Sequence, residues 1–161
     1  MILFNSIKPL NYFNRVFRNI IPILILALVA FFEFFHSYDW TINFHSIFLP
    51  ILLITVATIN SAYRNRYYIT HIEIEESNIT IVYYKFNNFY EINTEITHLH
   101  SDIKPVNAKP FPPQWKLILI SDNIKIVQYP SNYFDKSEWD AETIEEINNK
   151  INEIKRSLKT Y

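Results

Sequence analysis

A chain of 161 residues carrying 15 Lys and Arg against 16 Asp and Glu has no global basic field to gather nucleic acid by counterion release, so no nucleic-acid partner is expected. It contains no cysteine, which removes disulfide-linked partners, thiolate metal sites and thiol nucleophiles together. It contains no glycine either, and with glycine go Gly-rich phosphate loops, dinucleotide fingerprints and the Gly-x-Ser-x-Gly elbow, which depend on its backbone freedom.

Apolar residues are concentrated in two blocks before residue 63, while charged residues dominate afterwards. That asymmetry divides the chain into residues 1–18, an N-terminal segment; residues 19–62, a membrane part; and residues 63–161, a soluble domain. The first block runs from Ile20 through Phe32, passes Glu33, and is closed by Tyr38 and Trp40. Helical from about 20 to 38, it matches the ~20 residues that a 30 Å hydrocarbon core requires. Pro22 would sit in its first turn, where a missing N–H costs little. The second block, about 44 to 62, holds no Asp, Glu, Lys or Arg and reads as a second span, with Pro50 near its outer end. A cleaved signal peptide would end in a small-residue site, whereas this apolar run ends in FFEFFHSYDW.

Arg15 and Arg18 precede the first span, Arg64 and Arg66 follow the second, and the segment between them carries Asp39 and no Lys or Arg. The positive-inside rule then predicts a two-helix transmembrane hairpin in the cell membrane, multi-pass, with both termini cytoplasmic.

After Arg66 the pattern changes to short β-branched and aromatic segments punctuated by Asn, Ser, Asp and Pro, a strand signature. Strands are predicted over 67–75, 79–86, 89–92, 96–103, 115–120 and 124–129. Asn78, Asn87 and Asn123 lie in or beside the turns, and Asn tolerates the left-handed conformations that tight hairpins need. The stretch 104–114 holds four prolines and should be an extended surface loop. A closing helix over 137–159 is predicted from Ser137 as N-cap, acidic residues in the first turns and basic residues in the last. Ile144, Ile147, Ile151, Ile154 and Leu158 make an apolar stripe that must pack on something; the sheet is the expected partner and a coiled-coil dimer the alternative.

Two helices, then short strands, then one amphipathic helix: the meander YITHIEIEESNITIVYYKF from Tyr68, the hairpin WKLILISDNIKIVQYP from Trp115 and the helix from Ser137 resemble bacterial membrane-anchored proteins with a pleckstrin-homology-like (PH-like) domain, the YcxB-like kind. The resemblance implies an α+β membrane protein whose antiparallel sheet or barrel is closed at one end by the C-terminal helix, used for binding rather than catalysis. It brings no catalytic residues and no cofactor. Phosphoinositide-binding members of the wider fold carry Lys and Arg around the first hairpin. Here the turn reads Glu75-Glu76-Ser77-Asn78, which counts against that ligand.

Four further features could carry function. His98 and His100, two apart on a strand, would share a face with Asp102 as metal ligands, although structural zinc favours four ligands; a solvated strand is the plainer reading, and no metal is expected. Glu33 is an acidic residue inside a span, near His36 and His45, and could couple ions or protons. Phe111 and Trp115 place aromatics beside rigid extended backbone, suited to a partner surface. Arg15, Arg18, Arg64 and Arg66 set topology and could attract anionic lipid. The sequence therefore predicts a non-catalytic membrane protein whose PH-like domain binds a protein partner or a second copy as scaffold or accessory subunit. The alternatives are a small transport subunit built around Glu33 and a lipid-sensing module.

Overall fold

The computed structural model describes residues 1–6, 11–37, 44–106, 114–130 and 138–159. In chain order the elements are β1 (Ile2–Asn5), α1 (Tyr12–Ser37), α2 (Phe44–Arg64), β2 (Tyr67–Glu75), β3 (Asn78–Lys85), β4 (Asn88–Glu95), β5 (His100–Pro105), β6 (Trp115–Ser121), β7 (Ile124–Gln128) and α3 (Ala141–Lys159). They separate into a helical unit, Tyr12–Asn65, and a sheet unit made of Met1–Asn11 with Arg66–Tyr161. The fold class is α+β.

The sheet unit holds two antiparallel sheets, ordered β1-β2-β3-β4 and β5-β6-β7, rather than a closed barrel. Alternation along β2 sends Ile72 and Ile74 inward, where they meet Ile79 and Ile81 of β3 in register. Leu117, Leu119 and Ile126 of the second sheet join the same core, and Ile144, Ile147 and Ile151 of α3 complete it. The apolar stripe of α3 as far as Ile154 is thus packed inside the domain, against β5 and β6, while Leu158 is exposed.

The N-terminal segment differs most from expectation. Residues 2–5 form an edge strand on β2, with Ile2 opposite Glu73 and Asn5 opposite His71. Four residues are too few for alternation to announce a strand, and the partner lies about 70 positions away. Phe4 is buried, its ring centroid 4.1 Å from that of Trp139.

A bulge interrupts β2 between Ile69 and His71. Both backbone groups of Ile69 find side chains instead. Its N–H donates to Oε1 of buried Gln128 at 2.9 Å, and its carbonyl accepts from Nε1 of Trp139 at 3.0 Å. Gln128 in turn donates to the Tyr129 carbonyl at 2.8 Å. These bonds tie the first sheet to β7 and to the approach of α3, and leave neither backbone polar group of Ile69, which precedes the extra residue Thr70 of the bulge, stranded in the core. A second buried link joins α3 to β5, where the Ser101 hydroxyl donates to Oδ1 of Asn148 at 2.6 Å.

Other boundaries moved for local reasons. The strand expected over 96–103 is confined to His100–Pro105, because residues 96–98 form a turn. Its last residue, Pro105, is tolerated on an edge strand. The helix expected from 137 begins at Ala141, capped by Asp140, whose Oδ1 accepts from the Thr143 N–H at 2.7 Å. Ser137 lies outside the described residues, as do 107–113 of the proline-rich segment, Phe111 among them.

All three two-residue hairpin turns bend through a left-handed residue, and in none is it the asparagine. Positive φ falls on Glu76, Phe86 and Asp122, at 54°, 58° and 50°. The hairpin registers, closed at Glu75–Asn78, Lys85–Asn88 and Ser121–Ile124, place the left-handed residue two positions before Asn78 and one before Asn87 and Asn123. An L-residue with a Cβ pays about 1–2 kcal/mol there. Glu76→Gly is expected to increase the unfolding free energy by roughly 0.5–1 kcal/mol after glycine's greater unfolded-state entropy is subtracted, and so to raise the denaturation midpoint slightly. An unchanged or lowered midpoint in equilibrium urea unfolding would show that Glu76 stores no strain.

Candidate membrane interface

In the helical unit, α1 has 26 residues and so runs about 39 Å at 1.5 Å per residue. Over Tyr12–Phe32 it has the length and apolar composition to cross a membrane, and is the one helix among the described residues that meets both tests. Few of its side chains are buried. Leu26 and Phe32 are each 69% exposed, and Ile25, Leu28 and Val29 are exposed beside them, which is the reverse of a core helix in a water-soluble fold. The helix starts eight residues before Ile20, since hydropathy marks the stretch fit for hydrocarbon and not the end of helical hydrogen bonding. Pro22 accordingly sits in the helix interior and not in the first turn.

Helix α2 also exposes apolar side chains, among them Phe48, Ile51, Leu53, Val56 and Ile59. Its hydroxyls turn inward: Thr55 and Thr58 donate to the Ile51 and Ile54 carbonyls at 2.8 and 2.7 Å, so neither needs water. A polar cluster joins the beginning of α1 to the end of α2. The Tyr12 hydroxyl donates to the Ala62 carbonyl at 3.2 Å, the Ser61 hydroxyl to Val16 at 3.1 Å, and Arg15 Nη2 to Asn65 at 3.3 Å.

The basic residues singled out by sequence divide accordingly. Arg15 is buried in this cluster, Arg18 is exposed, and Arg64 and Arg66 are half-buried. Glu33 falls within α1 and His45 within α2, but the side chains of Glu33, His36 and His45 lie outside what is described. So do Tyr38, Asp39 and Trp40.

The sheet-unit candidates are not brought together. His98 belongs to the turn after β4, its Nε2 4.0 Å from Glu95, while His100 opens β5 and is exposed; the shared strand face does not form. Asp102 lies 3.9 Å from Lys104 instead. Among the described residues no group of three His, Cys, Asp or Glu side chains could hold a metal ion. Trp115 is not an exposed loop aromatic: it begins β6, pairs with Pro105 and packs against the core.

What sequence reasoning missed is the end of the first sheet from which the chain passes to the helices. Three dipeptides, Tyr67-Tyr68, Tyr83-Tyr84 and Phe89-Tyr90, are brought side by side by the register, Tyr68 opposite Tyr84 opposite Phe89 on one face and Tyr83 opposite Tyr90 on the other. Tyr83 and Tyr90 stack at 5.4 Å, Tyr84 and Phe89 meet edge-on at 5.8 Å, and the Arg66 guanidinium lies 5.3 Å from the Tyr67 ring and 5.6 Å from that of Phe86. Burial, with smaller contributions from Tyr67 and Tyr90, pushes the Tyr83 phenol above its ordinary range, so it stays neutral. The signal was present as paired aromatics spaced along the sequence, but only strand register joins them.

No family model, curated protein or solved structure matches this chain. Its functional reading therefore rests on its own geometry.

Because β1 and β2 are antiparallel, β1 ends where β2 begins; the Ser6 hydroxyl lies 3.5 Å from that of Tyr68, and the Ser6 N–H donates to the Thr70 carbonyl. The strand before α1 and the strand after α2 thus meet at the same end of one sheet.

Proposed function

We propose that this chain is a multi-pass cell-membrane protein in which α1 and α2 form a transmembrane hairpin and the sheet unit is a cytoplasmic PH-like domain that binds a protein partner, as scaffold or accessory subunit, without catalysis. The observation that carries the reading is the pairing of β1 with β2. A chain that leaves a sheet, crosses a bilayer along α1 and then re-enters the same sheet must cross again, and α2 is the segment available to do so. The contacts between the start of α1 and the end of α2 support the same return. Removal of α1 as a signal peptide would take β1 and its buried Phe4 out of the core, which argues against cleavage. Arg18 and Arg64 at the helix ends favour the cytoplasmic side for both connections. Four strands, three strands and a closing helix fit a PH-like plan, with the hairpin inserted after the first strand.

The absence of native cysteine makes the topology directly testable, because each introduced thiol is unique. With a membrane-impermeant maleimide applied to intact spheroplasts, Thr41→Cys, between the helices, is expected to label, whereas Asp122→Cys is expected to label only after lysis. Labelling of Asp122→Cys from outside overturns the cytoplasmic placement of the sheet unit, and the same accessibility at both positions overturns the two-crossing arrangement. For the binding role, a protein that crosslinks to the full chain in the membrane in near-stoichiometric amount, and is lost on substitution of exposed sheet residues, is the expected result; recovery of the chain alone counts against it.

A further inference from the structure

Resting on the membrane-anchored reading above, we propose that the aromatic end of the β2–β4 sheet is a lipid-binding surface that seats in the headgroup layer of the bilayer crossed by the helices. Two residues, Asn65 and Arg66, separate the end of α2 from β2. Covalent chain length alone keeps the Tyr67 Cα within about 11 Å of the Arg64 Cα. The polar layer on each side of a ~30 Å hydrocarbon core is roughly 5–8 Å deep, so this end of the sheet is tethered at the depth where Tyr rings concentrate in membrane proteins.

The composition of the surface fits that layer. Phe89 is 58% exposed, Phe86 42% and Tyr90 40%, and they gather at the turn end of the β3–β4 hairpin, with Phe89 and Tyr90 on opposite faces of the strand. Tyr84 and Tyr68, half-buried cross-strand partners, lie next to Phe89 in the register. The phenols supply hydroxyls for headgroups on rings suited to the acyl boundary, and Arg66, held against Tyr67 and Phe86, supplies a cation for phosphate. The hairpin is fixed to the base of β2 by the Phe86 N–H, which donates to the Arg66 carbonyl at 2.8 Å.

The opposite end of the same strands has the opposite chemistry. Glu75 and Glu76 form the β2–β3 turn, and Glu95 pairs with Asn78 beside it. At ~3.4 Å per residue this acidic end lies about 27 Å along β2 from Tyr67, which keeps it clear of an anionic leaflet. A sheet that is aromatic where it is tethered and acidic where it is not has its orientation to the membrane written into its length.

The test uses the full-length chain in phosphatidylcholine–phosphatidylglycerol vesicles with nitroxide on the lipid headgroup or on the acyl chain, and an environment-sensitive fluorophore on single cysteines. The positions are Asn87→Cys beside Phe86, Ser77→Cys at the acidic turn and Leu26→Cys in α1. The expected result is strong headgroup-nitroxide quenching at residue 87, none at residue 77, and acyl-nitroxide quenching at residue 26. Combined F86S and F89S substitutions, with unchanged circular dichroism, should abolish the quenching at residue 87. Quenching at residue 26 with none at residue 87 overturns the surface while the anchor stands. Residue 87 unquenched by lipid but crosslinked to another copy or to another protein overturns it in favour of that occupant. Loss of quenching at residue 26 removes anchor and surface together.

Discussion

Trp139→Ala is expected to unfold the sheet unit or bring it to the edge of unfolding. The side chain is fully buried, its ring packs on Phe4, and its indole N–H satisfies the carbonyl of Ile69 at the β2 bulge. Removing a buried tryptophan costs about 3–5 kcal/mol, and leaving a buried carbonyl without its donor adds roughly 1–3 kcal/mol. A domain's whole stability is of order 5–15 kcal/mol. The measurement is urea unfolding of the detergent-solubilised chain, followed by far-ultraviolet circular dichroism and protease sensitivity. Trp139→Phe separates the two contributions, keeping most of the packing and losing the hydrogen bond, with an expected loss of about 1–3 kcal/mol. Wild-type stability in the alanine variant would mean that the bulge is held from elsewhere.

Phe4→Ala carries the second largest effect, about 3–4 kcal/mol, and reaches further into the biology because Phe4 precedes both helices. Its burial against Trp139 docks β1 into the sheet unit. A double-mutant cycle between Phe4 and Trp139 is expected to show a coupling of about 0.5–1.5 kcal/mol from the ring pair. Zero coupling would mean that the Phe4 ring does not hold β1 on the sheet unit. If the alanine variant also becomes sensitive to protease before residue 12, β1 has undocked while α1 and α2 remain in place.

Both effects depend on contacts between residues far apart in sequence. Glu76 is different, since its φ of 54° belongs to one turn, and the gain expected from glycine there is correspondingly small. A glycine-free chain still turns tightly, and it does so by holding ordinary residues in the left-handed region where strand register demands it.

Much of this protein was legible before any fold was known. Strand β2 was readable over its second half because a sheet with one buried face forces period-two alternation, and His71 to Glu75 obeys it, whereas the bulge breaks it at Ile69 and Thr70. The stripe from Ile144 to Ile154 declared α3 because a helix packing on a sheet needs apolar side chains every three to four residues. The apolar length of α1 declared its fitness for a bilayer, since hydrocarbon thickness is a local, additive demand on sequence. Local physics leaves local marks.

Tertiary structure decided the rest. Nothing local in Ile2–Asn5 marks a strand, because the hydrogen bonds that make it one come from β2. The bulge at Ile69 is satisfied by Gln128 and Trp139, side chains that no window around residue 69 contains. His98 and His100 were separated by a turn that alternation alone could not reveal, and the cap of α3 falls on Asp140, whose Oδ1 accepts from the Thr143 N–H. The aromatic end exists only in register: three dipeptides in separate strands become one surface when antiparallel pairing sets Tyr68 beside Tyr84 and Phe89. Periodicity is set by the geometry of a single element and can be read from the chain, whereas register and docking are set by which distant groups satisfy one another, and that is settled only when the chain has folded.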